Sequence, residues 1–295
     1  MRLRADDPAL RALQPMFAAL QPLACDGSID DLNRRAREQD AAPGDAIRFV
    51  AQTDALLADG MHYEERIARD GIVATREGST HDLFNALIWL RHPALKRAMN
   101  ARQVADIARV GPKQRTRGQC ALTHFDEAGA IVWAAAAAPL DAWDAHDWRA
   151  LFLDAHAAWG STMAVTPIGH ALFDHALAHR EYPVAKALVV RVARDDIGAR
   201  SRDALIAAWP EAERVVAEGI AAGRLLADPQ ELRPLPLAGV WNARSKSADF
   251  YAEAPCFRPL RAGRRYPAPL DVAALQLPES APPDAADGAP DPPGR

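Results

Sequence analysis

The sequence predicts an α+β fold, mostly helical, with one small sheet that includes a central β-hairpin. Three observations carry that expectation. Apolar residues recur at helical spacing through "STHDLFNALIWLRHPALKRAMN". Two β-prone runs flank the turn-like "DEAG" in "GQCALTHFDEAGAIVWAA". Two further short runs, "TMAV" and "KALVVRVA", read as strands set between helices.

From about Pro8 to Gly60 the pattern is of short helices broken by Pro15, Pro22 and Pro43, with loops such as "CDGS". After "EERIARDGIVATREGST" and its polar turn, Ser79 or Thr80 caps a helix, with Asp82 where a capping box places its acid. Leu83, Leu87 and Leu90 fall on one face of it, joined by Phe84, with Ile88 at the edge. His81, Asn85 and His92 share another face, with Trp89 nearby. Pro93 breaks or restarts the helix, which runs on to about Arg109.

In the expected hairpin, Gly129 takes the left-handed conformation that the loop requires. A helix follows near Asp144 to Ala158, and "TMAV" leads through Pro167 into the helix of "GHALFDHALAHR". "SRDALIAAWPEAERVVAEGI" reads as helix, with Pro210 at a break or a new first turn. The stretch from Arg233 to Pro267 has no regular period. Its Trp241, Phe250, Tyr251 and Phe257 suggest a loop packed back on the body. Residues 278–295 have almost no apolar content and read as a disordered tail. The expected organisation is one globular domain, 1–277, made of a helical part to residue 60 and a core from 61 onward.

Composition narrows the function classes. The 295 residues carry a net charge of -4, with 49% hydrophobic and 25% charged side chains, an ordinary globular balance. A nucleic-acid or anionic-membrane surface needs a dense basic stripe, so neither partner is expected. Cys25, Cys120 and Cys256 form no CxxC pair or disulfide framework, and the opening "MRLRADDPAL" lacks the apolar core of a signal peptide; a reducing cytoplasm is the expected location. The run "AIVWAAAAAPL" is too short to span a bilayer. There is no GxxxxGK[ST], no GxGxxG after a strand and no GxSxG elbow, which argues against an ATPase, a dinucleotide enzyme and an α/β-hydrolase.

Three polar groupings remain. His81-Asp82 has the makings of a general base or a metal ligand, and the positive end of a helix favours a neutral imidazole and an ionised Asp82. The plain alternative is a capping acid beside a surface histidine. Asp126 and Glu127 can bind a divalent cation or serve as acid and base, although Asp and Gly are also ordinary turn residues. On "GHALFDHALAHR", His175 and His179 share a face at i,i+4, but without HExxH they read as chance clustering. His170 differs, because Gly169 before it permits close approach of a neighbouring backbone or ligand.

The blocks "YEERIARDGIVATRE", "HDLFNALIWLRHPALKRAMN", "ALTHFDEAG", "GHALFD" and "FYAEAPCFRPLR" occur in one order from about Tyr63 to Arg261. Taken together they resemble a bacterial family known as domain of unknown function 3025. The resemblance implies no activity. It does mark Thr75, Arg76, His81, Asp82, Asn85, Asn100, Thr123, Asp126, Glu127, His170 and Arg258 as shared polar positions. The chain departs from that pattern at Thr80, where an aromatic is usual, near Gln103, where a His is, at Cys120, where an acid is, and in the turn around Trp241.

The function expected is that of a hydrolase with a small-molecule cleft between the His81 helix, the Asp126 segment and the His170 helix. His81 and His170 act there as base or metal ligands, and Asp82 or Asp126 orients an imidazole or binds a divalent metal. Arg76, Asn85, Asn100 and Glu127 line the ligand site. The alternative is a non-catalytic binding or scaffold protein whose polar residues are caps and a buried network. The enzymatic reading requires His81, Asp126 and His170 to meet within about 12 Å around one pocket.

Overall fold

Several of the longer helices begin where a polar side chain takes up a free backbone N–H. The computed structural model describes Met16, Leu20 and residues 26–39, 46–178, 183–192, 210–242 and 247–275. Ser28 caps α1 (Ile29–Glu38), His62 caps α2 (Tyr63–Asp70) and Ser79 caps α3 (Thr80–Arg91). At His92 the chain leaves the helical region, and α4 (Pro93–Val110) starts at once. Pro93 suits a first helical position, where its missing N–H costs nothing. The break read from the sequence at Pro93 is therefore present.

The expected hairpin is not. Its first arm is helix α5 (Arg117–Ala128), opened by a capping box in which Thr116 and Gln119 satisfy each other's backbone N–H groups. Gly118, Ala121, Leu122 and Phe125, all buried, recur at i, i+3, i+4 and i+7, and that helical period outweighs the β-prone character of individual residues. Gly129 is also not left-handed, with φ -73° and ψ 151°. Glycine is needed there because a Cβ would lie 2.1 Å from the Phe125 carbonyl oxygen.

Among the described residues two sheets form, where one was expected. β1 (Arg48–Ala51) pairs in parallel with β2 (Ile72–Thr75), the crossover between them containing α2. The second sheet has β3 (Gly129–Ala134), β4 (Met163–Pro167), β5 (Val184–Arg191), β6 (Arg233–Pro236) and β7 (Leu270–Asp271). Its order is β4-β3-β5-β6, with β7 alongside the end of β5. β3 runs parallel to β5 and antiparallel to β4. β2 is buried along its whole length, so "IVAT" shows no alternation to read. β6 contains two prolines, which an edge strand tolerates.

"TMAV" and "KALVVR" are the strands the sequence suggested, and α6 (His170–Leu177) and α7 (Pro210–Ala221) are the helices. The expected helix from Asp144 to Ala158 is instead a short helix at Leu140–Asp144, a π turn at Ala150–Asp154 and a 3-10 turn at His156–Ala158. His146, at φ 54°, interrupts it. β3 is buried end to end, and Trp143, Trp148, Phe152, Trp159, Tyr251 and Phe257 form an aromatic group that holds the C-terminal segment against the body. No helix among the described residues is long and apolar enough to cross a membrane. Expectations for Pro15, Pro22, Cys25, Pro43, His179, residues 201–209 and the tail lie outside the described residues.

Candidate functional site

α3 and α6 bring His81 and His170 together. His81 is in the first turn of α3, where the Ser79 cap fixes the start of the helix. His170 opens α6 directly after Gly169, at which a Cβ would come within 2.4 Å of the Gly129 nitrogen. The neighbour that Gly169 admits is therefore backbone: the N–H groups of Ile168 and Gly169 both donate to the Gly129 carbonyl. The two imidazoles meet edge to face, centroids 4.5 Å apart and planes at 76°, with Nε2 3.0 Å from Nε2.

Around them lies a cleft of 350 Å³, lined by α2, α3, α4, α5 and the head of α6. Asp126 and Glu127, in the last turn of α5, reach it from the other side. Glu127 Oε2 lies 3.7 Å from His170 Nε2, and its side chain is 47% exposed. Asp126 Oδ2 lies 3.8 Å from His170 Nδ1. His81, Asp126 and His170 thus border one cavity.

Burial by itself would raise the Asp126 carboxyl, but the Lys96 ammonium and His170 outweigh it and hold the group below the usual carboxylate range. Burial pushes His170 down to about 4, so its ring is neutral at physiological pH. Its Nδ1 makes no regular hydrogen bond and sits against the Asp126 carboxylate and main chain. A proton on Nδ1 is stabilised by that negative charge, which leaves the Nε2 lone pair directed at the cleft.

The rest of the wall is a polar network. Lys96, 5% exposed, donates to Asn85 Oδ1 at 2.9 Å, pairs with Asp126 and lies 5.3 Å from the centre of the Trp89 ring. Asn85 donates in turn to the Tyr63 hydroxyl at 3.0 Å. The Tyr63 hydroxyl is raised above its ordinary value by burial, although the residue as a whole is 36% exposed. Asn100 donates to the Glu64 carboxylate at 2.6 Å and to its carbonyl at 2.9 Å. Burial raises the Glu64 carboxyl more than Asn100 lowers it. Arg115 donates to Thr123 at the far end.

Three expectations need correction. Asp82 orients no imidazole, because both its oxygens are held by Arg76. The Arg76 backbone N–H lies 2.8 Å and Nε 2.9 Å from Oδ2, and Nη2 is 2.7 Å from Oδ1. Burial would raise Asp82, but these bonds keep it below the usual range. Arg76 lines the cleft, but its Nε and Nη2 are committed to that clamp. Asn85 and Asn100 border the cleft, yet their amides are bonded to protein groups and act as buttresses.

His92, read on the same face as His81 and Asn85, turns away at the helix break to meet Glu213 of α7 at 2.9 Å. His175 lies outside the cleft lining. Among the departures, Thr80 bonds Asp174 at 2.6 Å, Gln103 lines the cleft, and Cys120 and Trp241 do not.

Tyr63, Glu64 and Lys96 were missed. Lys96 had a signal: only four of the 35 basic residues are Lys, and so scarce an ammonium invites a search for its acid.

A family model described as "Protein of unknown function (DUF3025)" matches residues 47–261. The chain belongs to that family. Every cleft residue of this DUF3025 member lies inside the match. Neither a curated protein nor a solved structure matches the chain.

Proposed function

We propose that this DUF3025 protein is a hydrolase whose cleft holds one divalent metal on His81 Nε2, His170 Nε2 and Glu127. The observation that carries the reading is the close approach of two imidazole Nε2 atoms beside a half-exposed carboxylate. The candidate ligand atoms of these three residues all lie within 4.8 Å of one another. Two imidazole nitrogens each ~2.0–2.1 Å from a tetrahedral zinc stand ~3.3 Å apart, close to the separation found here. Two His and one carboxylate also form a recurrent catalytic set, with a position left for water.

A metal there lowers the pKa of its bound water toward neutrality. Asp126 would hold His170 in the Nδ1–H tautomer, and Lys96 would keep Asp126 ionised. Tyr63 and the carboxyl of Glu64 would face the substrate from the opposite wall.

The test is titration of metal-free protein with Zn²⁺, Mn²⁺ and Co²⁺, followed by calorimetry and thermal shift. One equivalent should bind and raise the melting temperature. His81→Ala and His170→Ala should weaken binding by ~100-fold or more, and Glu127→Gln by less. Metal-dependent cleavage in a panel of chromogenic esters, phosphoesters and amides would identify the bond. Absence of stoichiometric binding, or binding indifferent to both histidine variants, sinks the proposal.

A second reading, a non-catalytic protein with a structural histidine pair tying α3 to α6, draws on the protein-bonded amides of Asn85 and Asn100. It predicts a sharp loss of thermal stability in His170→Ala and no bound metal.

A further inference from the structure

The chain pairs several of its arginines, buried and exposed, with acids. Arg233 forks onto Asp144, Arg66 meets Asp59, Arg117 meets Asp228 and Arg76 meets Asp82. One concavity breaks that habit. A 750 Å³ pocket is lined by Lys186, Arg258, Arg261 and Arg264, with His124 and His146 beside them, and no carboxylate contributes to its wall. Among the described residues, none of the four cations has a carboxylate within ion-pairing distance. Arg264 donates to the Gln230 carbonyl at 2.7 Å and rests over the Tyr266 ring at 4.3 Å, which fixes its direction without neutralising it.

Lys186 is the most telling member. It projects from β5, a strand of the main sheet hydrogen-bonded on both sides, in register with Gly129 and Pro234. Its ammonium is lowered from the ordinary value by burial first, and then by Arg261, Arg258 and Arg264. The three guanidinium groups therefore act on one point. The acid that Arg264 acts on, Asp228, lies outside the lining and is already paired with Arg117. Uncompensated cations in a concavity raise the local concentration of anions and favour one that can span them.

The remaining wall is apolar: Trp148, Val184, Leu232, Pro234, Pro259 and the Cys256 thiol, which burial lifts to about 11 and keeps protonated. Guanidinium forks match phosphate oxygens two at a time. Two linked phosphates reach several cations at once, and a carbon body then covers the apolar side.

We propose that this pocket binds an organic diphosphate, its phosphates on Lys186, Arg258, Arg261 and Arg264 and its body against Trp148 and Leu232. The site is separate from the histidine cleft and does not rest on the metal reading. The two share no lining residue, and α5 stands between them, with His124 facing one and Thr123, Asp126 and Glu127 the other.

The test is calorimetric titration of the full chain with ADP, a prenyl diphosphate and inorganic pyrophosphate, with adenosine as the uncharged control. The organic diphosphates should bind in the micromolar range and more tightly than pyrophosphate, while adenosine should not bind. Affinity should fall with added salt. Arg261→Gln and Arg258→Gln, at exposed positions that fold without difficulty, should each weaken binding by ~10-fold, and Lys186→Met by at least as much. Melting curves confirm that the variants are folded. Diphosphate binding weaker than millimolar, or affinities unchanged in the two arginine variants, overturns the assignment. Pyrophosphate binding as tightly as both organic probes overturns the organic part of it.

Discussion

His92 and His170 are buried to nearly the same degree, 1% and 4% exposed, and each leaves one ring nitrogen without a hydrogen bond. Their surroundings differ. His92 sits where α4 begins and gives Nδ1 to Glu213 of α7, inside a packed helix-helix contact. His170 aims Nε2 at a second imidazole across the edge of a cleft, with two carboxylates and a lysine around it. A buried histidine facing one acid across a helix contact is a structural tie. One facing a polar hollow, with its charge state set by several neighbours, is arranged for a ligand. Burial alone does not separate the two cases.

The largest expected effect tests that contrast directly. His92→Ala strands the Glu213 side chain in the α4–α7 contact and leaves a cavity, at a cost of about 2–4 kcal/mol. The melting temperature should drop by roughly 5–10 °C. The space left by His170→Ala joins the cleft, and the variant removes a nitrogen without a hydrogen bond, so stability should hold within ~1 kcal/mol or improve, as at functional sites generally. Differential scanning calorimetry of the two variants decides. Equal losses would erase the distinction and favour the structural reading of the histidine pair.

Next in size is the pH dependence that burial imposes on His170. Its folded pKa, about 4, lies below the ordinary 6.5, so the unfolded chain binds more protons between those values. Stability therefore falls as the solution is acidified from pH 6.5 to 4, by on the order of 3 kcal/mol from this group, and is fully present above pH 6.5. Asp126, held below its ordinary value of 3.8, adds loss only at lower pH still. Denaturant melts at several pH values should show the slope, and His170→Gln should flatten it between pH 4 and 6.5. A slope unchanged in that variant would mean that the imidazole is not held neutral by burial.

How much of this was legible follows from the range of each signal. The α3 start, the Pro93 break and the strands β4 and β5 are local, written in caps, proline and apolar runs. His81 and His170 were found because imidazoles after a cap and after a glycine are conspicuous. The strand end expected at Asp126 does not exist; the residue reaches the cleft from a helix end instead. Lys96, Tyr63 and Glu64 owe their roles to partners 22 to 36 positions away, pairings that no period within one element encodes. For Asp82 the difference is one of partner: Ser79 caps its N–H, but the carboxylate reaches back six residues to Arg76 rather than to the Ser79 N–H of a capping box or to an imidazole.

The smallest expected effect concerns that cap. Ser79 Oγ accepts the Asp82 N–H at 3.2 Å and so fixes the turn that carries His81. Ser79→Ala should cost about 1 kcal/mol, as for other lost N-caps. The Arg76 clamp on Asp82 still holds the turn, so the helix should start at the same residue. His81 would be aimed less exactly at His170, and metal affinity should fall by less than tenfold, far less than in His81→Ala. The equivalent change beside His92 cannot be made, because α4 has no side-chain cap there and relies on Pro93. If Ser79→Ala lowers stability yet leaves metal affinity untouched, the cap shapes the helix without aiming the imidazole, and the His81–His170 contact must be held from the α6 side, through Gly169 and Gly129.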